Sequence, residues 1–143
     1  MVSELVVRPF ETADQDAVIK LWRRCDLATP SNDSQRDIAL KLRAQPELFF
    51  VGVIDDRVVA TVMAGYDGHR GWINYLGVDP DAQRRGVGRR MMRHAEAALR
   101  ERGCPKINLQ VRASNDAVVR FYERLGYTVE ARVSMGKRID RES

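Results

Sequence analysis

The strongest constraint on the fold lies between Trp72 and Val111, where the hydrophobic pattern changes period twice. Trp72 to Val78 is a strand-like apolar run, Gly86 to about Arg102 repeats at helical spacing, and Ile107 to Val111 is strand-like again. Gly103 and Pro105 stop the helix between them. A strand, a helix and a strand in this order form a crossover, so the two strands run parallel in one sheet.

The rest of the chain is read around that unit. Leu5 to Val7 is a short first strand, and Thr12 with Gln15 has the spacing of a capping box. In the helix that follows, Ala17, Val18, Leu21, Trp22 and Cys25 share an arc of about 140°. The loop Ala28-Thr29-Pro30-Ser31-Asn32 leads to Asp33, the expected cap of a second helix with Ile38, Ala39 and Leu42 on its apolar side. Pro46 ends it. Leu48 to Ile54 and Val58 to Ala64, joined by Asp55-Asp56-Arg57, predict an antiparallel hairpin. Asn115 to Leu125 is a further helix closed by Gly126, with strand-like segments at Tyr127 to Val129 and Val133 to Lys137. The expected fold is α/β (α+β): a mixed, mainly antiparallel sheet with one parallel pair, flanked by helices, in a single domain over 1–143.

Composition removes several alternatives. With 143 residues, 44% hydrophobic, the chain can bury roughly two thirds of its unfolded surface. A net charge of +4 does not by itself indicate a nucleic-acid partner. There is no apolar run of about 18 residues, so no membrane span is expected. The start Met1-Val2-Ser3-Glu4-Leu5 does not read as a signal peptide, and Cys25 and Cys104 form no disulfide framework. A cytoplasmic location is the expectation, and no residues are read as a metal site.

The chemistry is concentrated in Leu76-Gly77-Val78-Asp79-Pro80-Asp81-Ala82-Gln83-Arg84-Arg85-Gly86-Val87-Gly88. A strand ends, a tight loop follows, and a helix opens with glycines. Unpaired N–H groups at a helix start, reinforced by its dipole, make an anion site that glycines let a ligand approach closely. Arg84 and Arg85 add charge there, whereas Arg93 and Arg100 fall on the solvated side of the helix, opposite Val87, Met91, Ala95, Ala98 and Leu99. No Lys-Ser/Thr pair follows, so this is not a Walker loop, and the glycine spacing is not a dinucleotide fingerprint.

Gln83-Arg84-Arg85-Gly86-Val87-Gly88 closely resembles the acyl-CoA-binding motif Q/R-x-x-G-x-G/A of the GNAT superfamily of N-acetyltransferases. Asn115-Asp116-Ala117-Val118-Val119-Arg120-Phe121-Tyr122-Glu123-Arg124-Leu125-Gly126-Tyr127 resembles that family's later motif, N-x-x-A/V-x-x-F/L-Y-x-x-x-G-F/Y. The likeness extends over nearly the whole chain. Within the superfamily, Trp22–Leu27, Gly65–Gly71 and Arg102–Ile107 look like the bacterial YpeA group.

The resemblance implies acetyl-CoA as co-substrate, held in a V-shaped opening between the parallel strands. Leu76, Gly77 and Val78 would pair with pantetheine, and the amides of Arg85, Gly86, Val87 and Gly88 would hold the pyrophosphate. Asn115, otherwise a helix cap, becomes a candidate for the pantetheine surroundings. Tyr122, otherwise a core phenol, becomes the proton donor to the CoA sulfur. The implied reaction is direct acetyl transfer to a primary amine of a small molecule or peptide. Many relatives carry a glutamate base on the central strand, but Gly71-Trp72-Ile73-Asn74-Tyr75-Leu76-Gly77 holds no carboxylate. Asp26, Asp33, Asp67 and His69 are the open candidates for that role or, with Trp22, for a polar acceptor pocket. Capping, turn and core-packing roles stand beside them. The missing carboxylate also keeps open a non-catalytic CoA-binding sensor on the same fold. Neither a nucleic acid nor a membrane is an expected partner, and a homodimer stays open.

Overall fold

The computed structural model describes residues 4–28 and 33–140, so the loop expected at Thr29 to Asn32 and the start at Met1 to Ser3 lie outside the described residues. The elements are β1 (Val6–Pro9), α1 (Gln15–Arg24), α2 (Ser34–Ala44), β2 (Phe49–Ile54), β3 (Arg57–Tyr66), β4 (Gly71–Val78), α3 (Val87–Glu101), β5 (Ile107–Leu109) and α4 (Asp116–Arg124). The chain divides into two compact units, Met1–Gln110 and Val111–Ser143.

In the first unit the strands follow sequence order, β1-β2-β3-β4-β5. All neighbours are antiparallel except β4 and β5, which run parallel as a crossover demands. Phe10, Val18, Ile19, Trp22, Ile38, Phe49, Val51 and Met63 form one core cluster. Its centre is aromatic: Phe10 stacks on Phe49 at 4.5 Å, and Trp22 stacks on Tyr75 at 3.9 Å. Helix α3 contributes Val87, Met91, Met92, Ala95 and Leu99, all buried. Helix α3 packs tightly at Gly52 of β2, where a Cβ would lie 2.8 Å from the Met91 sulfur.

Several local expectations are corrected. Thr12 is not the cap of α1; it lies in a 3-10 turn, Thr12–Asp14, that leads into the helix. The Asp14 carboxylate accepts from the Glu11 amide at 2.8 Å and is gripped by both terminal nitrogens of Arg8. The capping box here is Glu11 with Asp14 around the 3-10 turn, and α1 itself follows its N-cap residue Asp14 without a side-chain cap. The Arg8 hydrogen bond holds the Asp14 carboxyl below its usual range. In α1, Ile19 rather than Ala17 faces the core, and in α2 Ala39 is exposed. Ala98 is half-buried, and Met92 takes the fully buried place beside Met91. Leu48 belongs to a 3-10 turn, Pro46–Leu48, so β2 starts at Phe49.

The second unit contains α4, capped by the Asn115 side chain accepting from the Val118 amide at 3.3 Å. Tyr127–Val129 and Val133–Lys137 are not strands in the structure. Val129, Val133 and Met135 are exposed. Alternation marks an apolar face, but a strand also needs a ladder partner, which the pattern cannot supply.

Candidate active site

The site in the first unit begins with an irregularity in β4. Met63 pairs with Asn74 and Thr61 with Gly77, so Tyr75 and Leu76 together face the single residue between Thr61 and Met63. This two-against-one arrangement is a β-bulge, which bends a strand and re-aims its side chains. Tyr75 carries the bulge in left-handed backbone, φ +51°. A buried chain of hydrogen bonds holds it there: Trp22 Nε1–H donates to Thr61 Oγ1 at 2.9 Å, and that hydroxyl donates to the Tyr75 carbonyl at 2.9 Å. Trp22 and Thr61 are both fully buried. Trp22 is therefore a support beneath the site, and its predicted place in an open acceptor pocket is corrected.

Pairing between β4 and β5 covers Gly71↔Ile107, Trp72↔Asn108 and Ile73↔Leu109. Strand β5 ends at Leu109, two residues earlier than expected. Asn74 to Val78 therefore follow the paired stretch as an edge without a registered β5 partner among the described residues. Gly77 on this edge is buried, and a Cβ there would lie 2.9 Å from Leu27 Cδ1, so glycine lets the helix side approach. The Val78 carbonyl is already engaged by the Gln83 side-chain amide at 3.2 Å and the Cys25 thiol at 3.3 Å. Gln83 thus ties the loop back to the strand end. Desolvation raises the Cys25 pKa, consistent with a core thiol rather than a nucleophile.

Beyond Val78 the chain turns through Asp79, whose buried carboxylate accepts from the Asp81 amide at 2.9 Å and from Arg24 at 2.7 Å. The following loop has positive φ at Arg84 (+66°) and Gly86 (+75°). Gly86 caps α3 in left-handed backbone with no side-chain cap. The first backbone bond into α3 runs from the Arg90 amide to the Gly86 carbonyl at 3.1 Å. The amides of Val87, Gly88 and Arg89 precede it and have no acceptor within their own helix. A Cβ on Gly86 would meet nothing within 4 Å, so the approach to these donors is open. Gln83, Arg84, Arg85, Arg89 and Arg90 are exposed around it, and the first turn holds no acidic residue. Donors, helix dipole and guanidinium groups all favour a multiply charged anion.

On the α1–α2 side, a groove of about 510 Å³ is lined by Leu27, Asp37, Leu40, Lys41, Ala44, Met63, Asn74 and Tyr75. The predicted polar residues do not gather there. Asp33 caps α2 by accepting from the Arg36 amide at 3.1 Å. Asp26 is exposed in left-handed backbone at the end of α1. Asp67 accepts from the His69 and Arg70 amides at 2.8 and 2.7 Å, and from Trp72 Nε1–H at 3.2 Å. Those bonds hold its carboxyl below the usual range and fix the turn before β4, where His69 is exposed. The groove's carboxylate is Asp37 instead, and Tyr75 Oη–H donates to it at 2.5 Å. Asp37 stands beside Ile38 on α2, and only the fold brings it to Tyr75.

In the second unit, Tyr122 is buried, with edge-on contacts to Phe121 at 5.1 Å and Tyr127 at 5.6 Å. Burial pushes its phenol pKa up to about 12, so it is protonated at neutral pH. Asn115 is exposed and serves as the cap of α4.

Comparison with known proteins accords with this geometry. The model of the acetyltransferase (GNAT) family matches residues 11–127. An acetyltransferase of Pectobacterium atrosepticum is 48% identical over 138 residues, covering 95% of this chain and 98% of that protein. An N-acetyltransferase of Yersinia pestis is 46% identical over 133 residues, covering 93% and 94%. Among solved structures, the ribosomal-protein-S18-alanine N-acetyltransferase from Escherichia coli superposes with a TM-score of 0.73 at 28% identity, over 86% of this chain and 77% of that one. An aminoglycoside N-acetyltransferase in complex with CoA gives 0.80 at 15% identity, over 96% and 97%, a likeness of fold.

Proposed function

Because the chain belongs to the GNAT family of acetyltransferases, we propose that it transfers an acetyl group from acetyl-CoA directly to a primary amine of a small molecule or peptide. The observation that carries this reading is the start of α3: free amides, an open glycine and exposed arginines follow directly on a bulged strand edge. The amides of Arg85 to Gly88 hold the diphosphate, with Gln83 fixing the loop. Leu76, Gly77 and Val78 offer the strand edge along which pantetheine lies. The family match spans residues on both sides of Gln110, which supports one functional domain over the chain.

Acetyl-CoA supplies an acyl carbon activated by a thioester. A backbone N–H at Leu76 or Gly77 donates to the oxygen that gains charge as the amine adds, and fixed donors of this kind cost no reorganisation during reaction. Tyr122 then gives its proton to the departing sulfur as the C–S bond breaks, and its protonated state at neutral pH suits that role. The proton lost by the nitrogen as the amide forms passes to solvent, and solvent returns one to the tyrosinate. Asn115 steadies the first turn of the helix that carries Tyr122. The amine must be neutral to add. An α-amine with pKa near 8 meets that condition in roughly a tenth of molecules at pH 7, an alkylamine in only about one in a thousand.

The test is CoA release and mass gain on a panel of amines and amine-terminated peptides. Saturable, amine-dependent CoA release supports the reading. Thermal stabilisation by acetyl-CoA with no transfer to any amine would support the sensor on the same fold, for which the carboxylate-free central strand speaks.

A further inference from the structure

We infer that the groove between α2 and the β4 bulge receives an amine carrying a single positive charge, with Asp37 as its docking carboxylate and Tyr75 as the residue that positions Asp37. The inference rests on the acetyltransferase reading above and deepens it by naming the acceptor's charge class.

Three observations lead to it. First, the groove joins the reacting strand to α2: Asn74 and the bulge residue Tyr75 line it together with Asp37, Leu40 and Lys41. Second, Asp37 is half-buried and its Oδ2 accepts from the Tyr75 hydroxyl at 2.5 Å. Tyr75 is itself fixed, by its stack on the buried Trp22 ring and by the Thr61 hydroxyl on its carbonyl. The carboxylate is thus aimed by a rigid chain that runs from the core. An exposed carboxylate on a mobile side chain would lose more freedom on binding. Third, among the described residues the other charged group lining the groove is Lys41, one helical turn from Asp37, with its ammonium donating to the Ala64 carbonyl.

One carboxylate and one ammonium leave the lining without net charge. A monoammonium ligand satisfies Asp37 and lays an apolar stem over Leu40 and Met63, and its ammonium gives up a proton to solvent before the neutral nitrogen adds to the thioester. A second positive charge further along the ligand meets the Lys41 ammonium, with no second carboxylate among the described lining residues to balance it. The groove therefore selects a monoamine against a polyamine. That choice is made by Asp37 and Lys41 at positions i and i+4 of α2, which place both on one face of the helix.

The probes are n-butylammonium, n-butanol and 1,4-diaminobutane, titrated by NMR against the full chain with and without saturating CoA. The methyl signals of Leu40 and Met63 report occupancy of the groove. n-Butylammonium is expected to move both signals and to bind about tenfold or more tighter than n-butanol, as a hydrogen bond to a charged group provides. 1,4-Diaminobutane is expected to bind at least about fivefold more weakly than n-butylammonium, a like-charge penalty of modest size. Asp37→Asn should bring n-butylammonium to the level of n-butanol, Asp37→Glu should restore part of the preference, and Tyr75→Phe should weaken it by less than Asp37→Asn. Unmoved methyl signals, equal affinity for amine and alcohol, or tighter binding of the diamine overturns the inference. The wild-type comparison alone decides it if Asp37→Asn does not fold. Calorimetry with CoA is run separately, so loss of CoA binding counts against the acetyltransferase reading and loss of amine selectivity only against this one.

Discussion

In the proposed reading, the start of α3 and the groove beside α2 recognise their ligands by opposite means. The first uses backbone amides of consecutive residues, with Gly86 open to approach and arginines exposed around it. The second uses side chains from α2, β3, β4 and Leu27 beyond α1, aimed by a buried hydrogen-bond chain. Backbone donors suit a ligand part that never varies, because they are present whatever the side chains. Side chains suit a part that differs between enzymes, because a substitution such as one at Asp37 changes the ligand without altering the fold. The difference teaches that the CoA end and the acceptor end should be separable by mutation.

The largest expected effect falls on neither binding end. Tyr122→Phe should lower kcat by about a hundredfold or more, as loss of a general acid does. CoA affinity and acceptor KM should hold. An unchanged kcat removes Tyr122 from the acid role. The same variant has a stability signature. The phenol is neutral in the fold up to about pH 12 but ionises near pH 10 when unfolded, so its contribution is complete below pH 10 and is lost as pH rises toward 12. Denaturant titrations across that window should show a steeper alkaline loss in the wild type than in Tyr122→Phe.

Next, Thr61→Val should cost about 1–3 kcal/mol of stability, since it leaves the Trp22 N–H and Tyr75 carbonyl without their buried partner. Of the two binding ends it should weaken only the acceptor end, because it frees Tyr75 and with it Asp37. A matching loss of CoA affinity would break the comparison. The smallest effect is expected from Arg84→Ala with Arg85→Ala. Both side chains are exposed, so together they are worth about tenfold in CoA affinity at low salt and less at high salt. Binding of n-butylammonium in the groove should not change.

Legibility in the sequence follows the same division. The crossover from β4 through α3 to β5 was readable because each element declares its own period over a contiguous run, and Gly86 and Gly88 declare the loop. The α2 cap at Asp33 was readable for the same reason. Asp37 was not. Nothing near it in sequence marks it, and its significance comes from Tyr75, 38 positions away. Asp33, Asp67 and His69 stand out in the sequence as polar residues beside loops, yet the first two spend their carboxylates on backbone amides and the third stands on the turn that Asp67 fixes. Thr61 could have been flagged as a lone hydroxyl inside an apolar strand, a group that must find a partner when buried. The segments at 127–129 and 133–137 show the reverse case: their alternation is real, but pairing is a property of two strands.

The account's central claim is that the amides opening α3 hold the diphosphate of CoA. Calorimetric titration with CoA and, separately, with pantetheine, which lacks the diphosphate and nucleotide, tests it most directly. The account predicts one saturable CoA site at least about a hundredfold tighter than pantetheine, several charge-assisted hydrogen bonds separating the two. Equal affinities, or no heat from CoA, would contradict it.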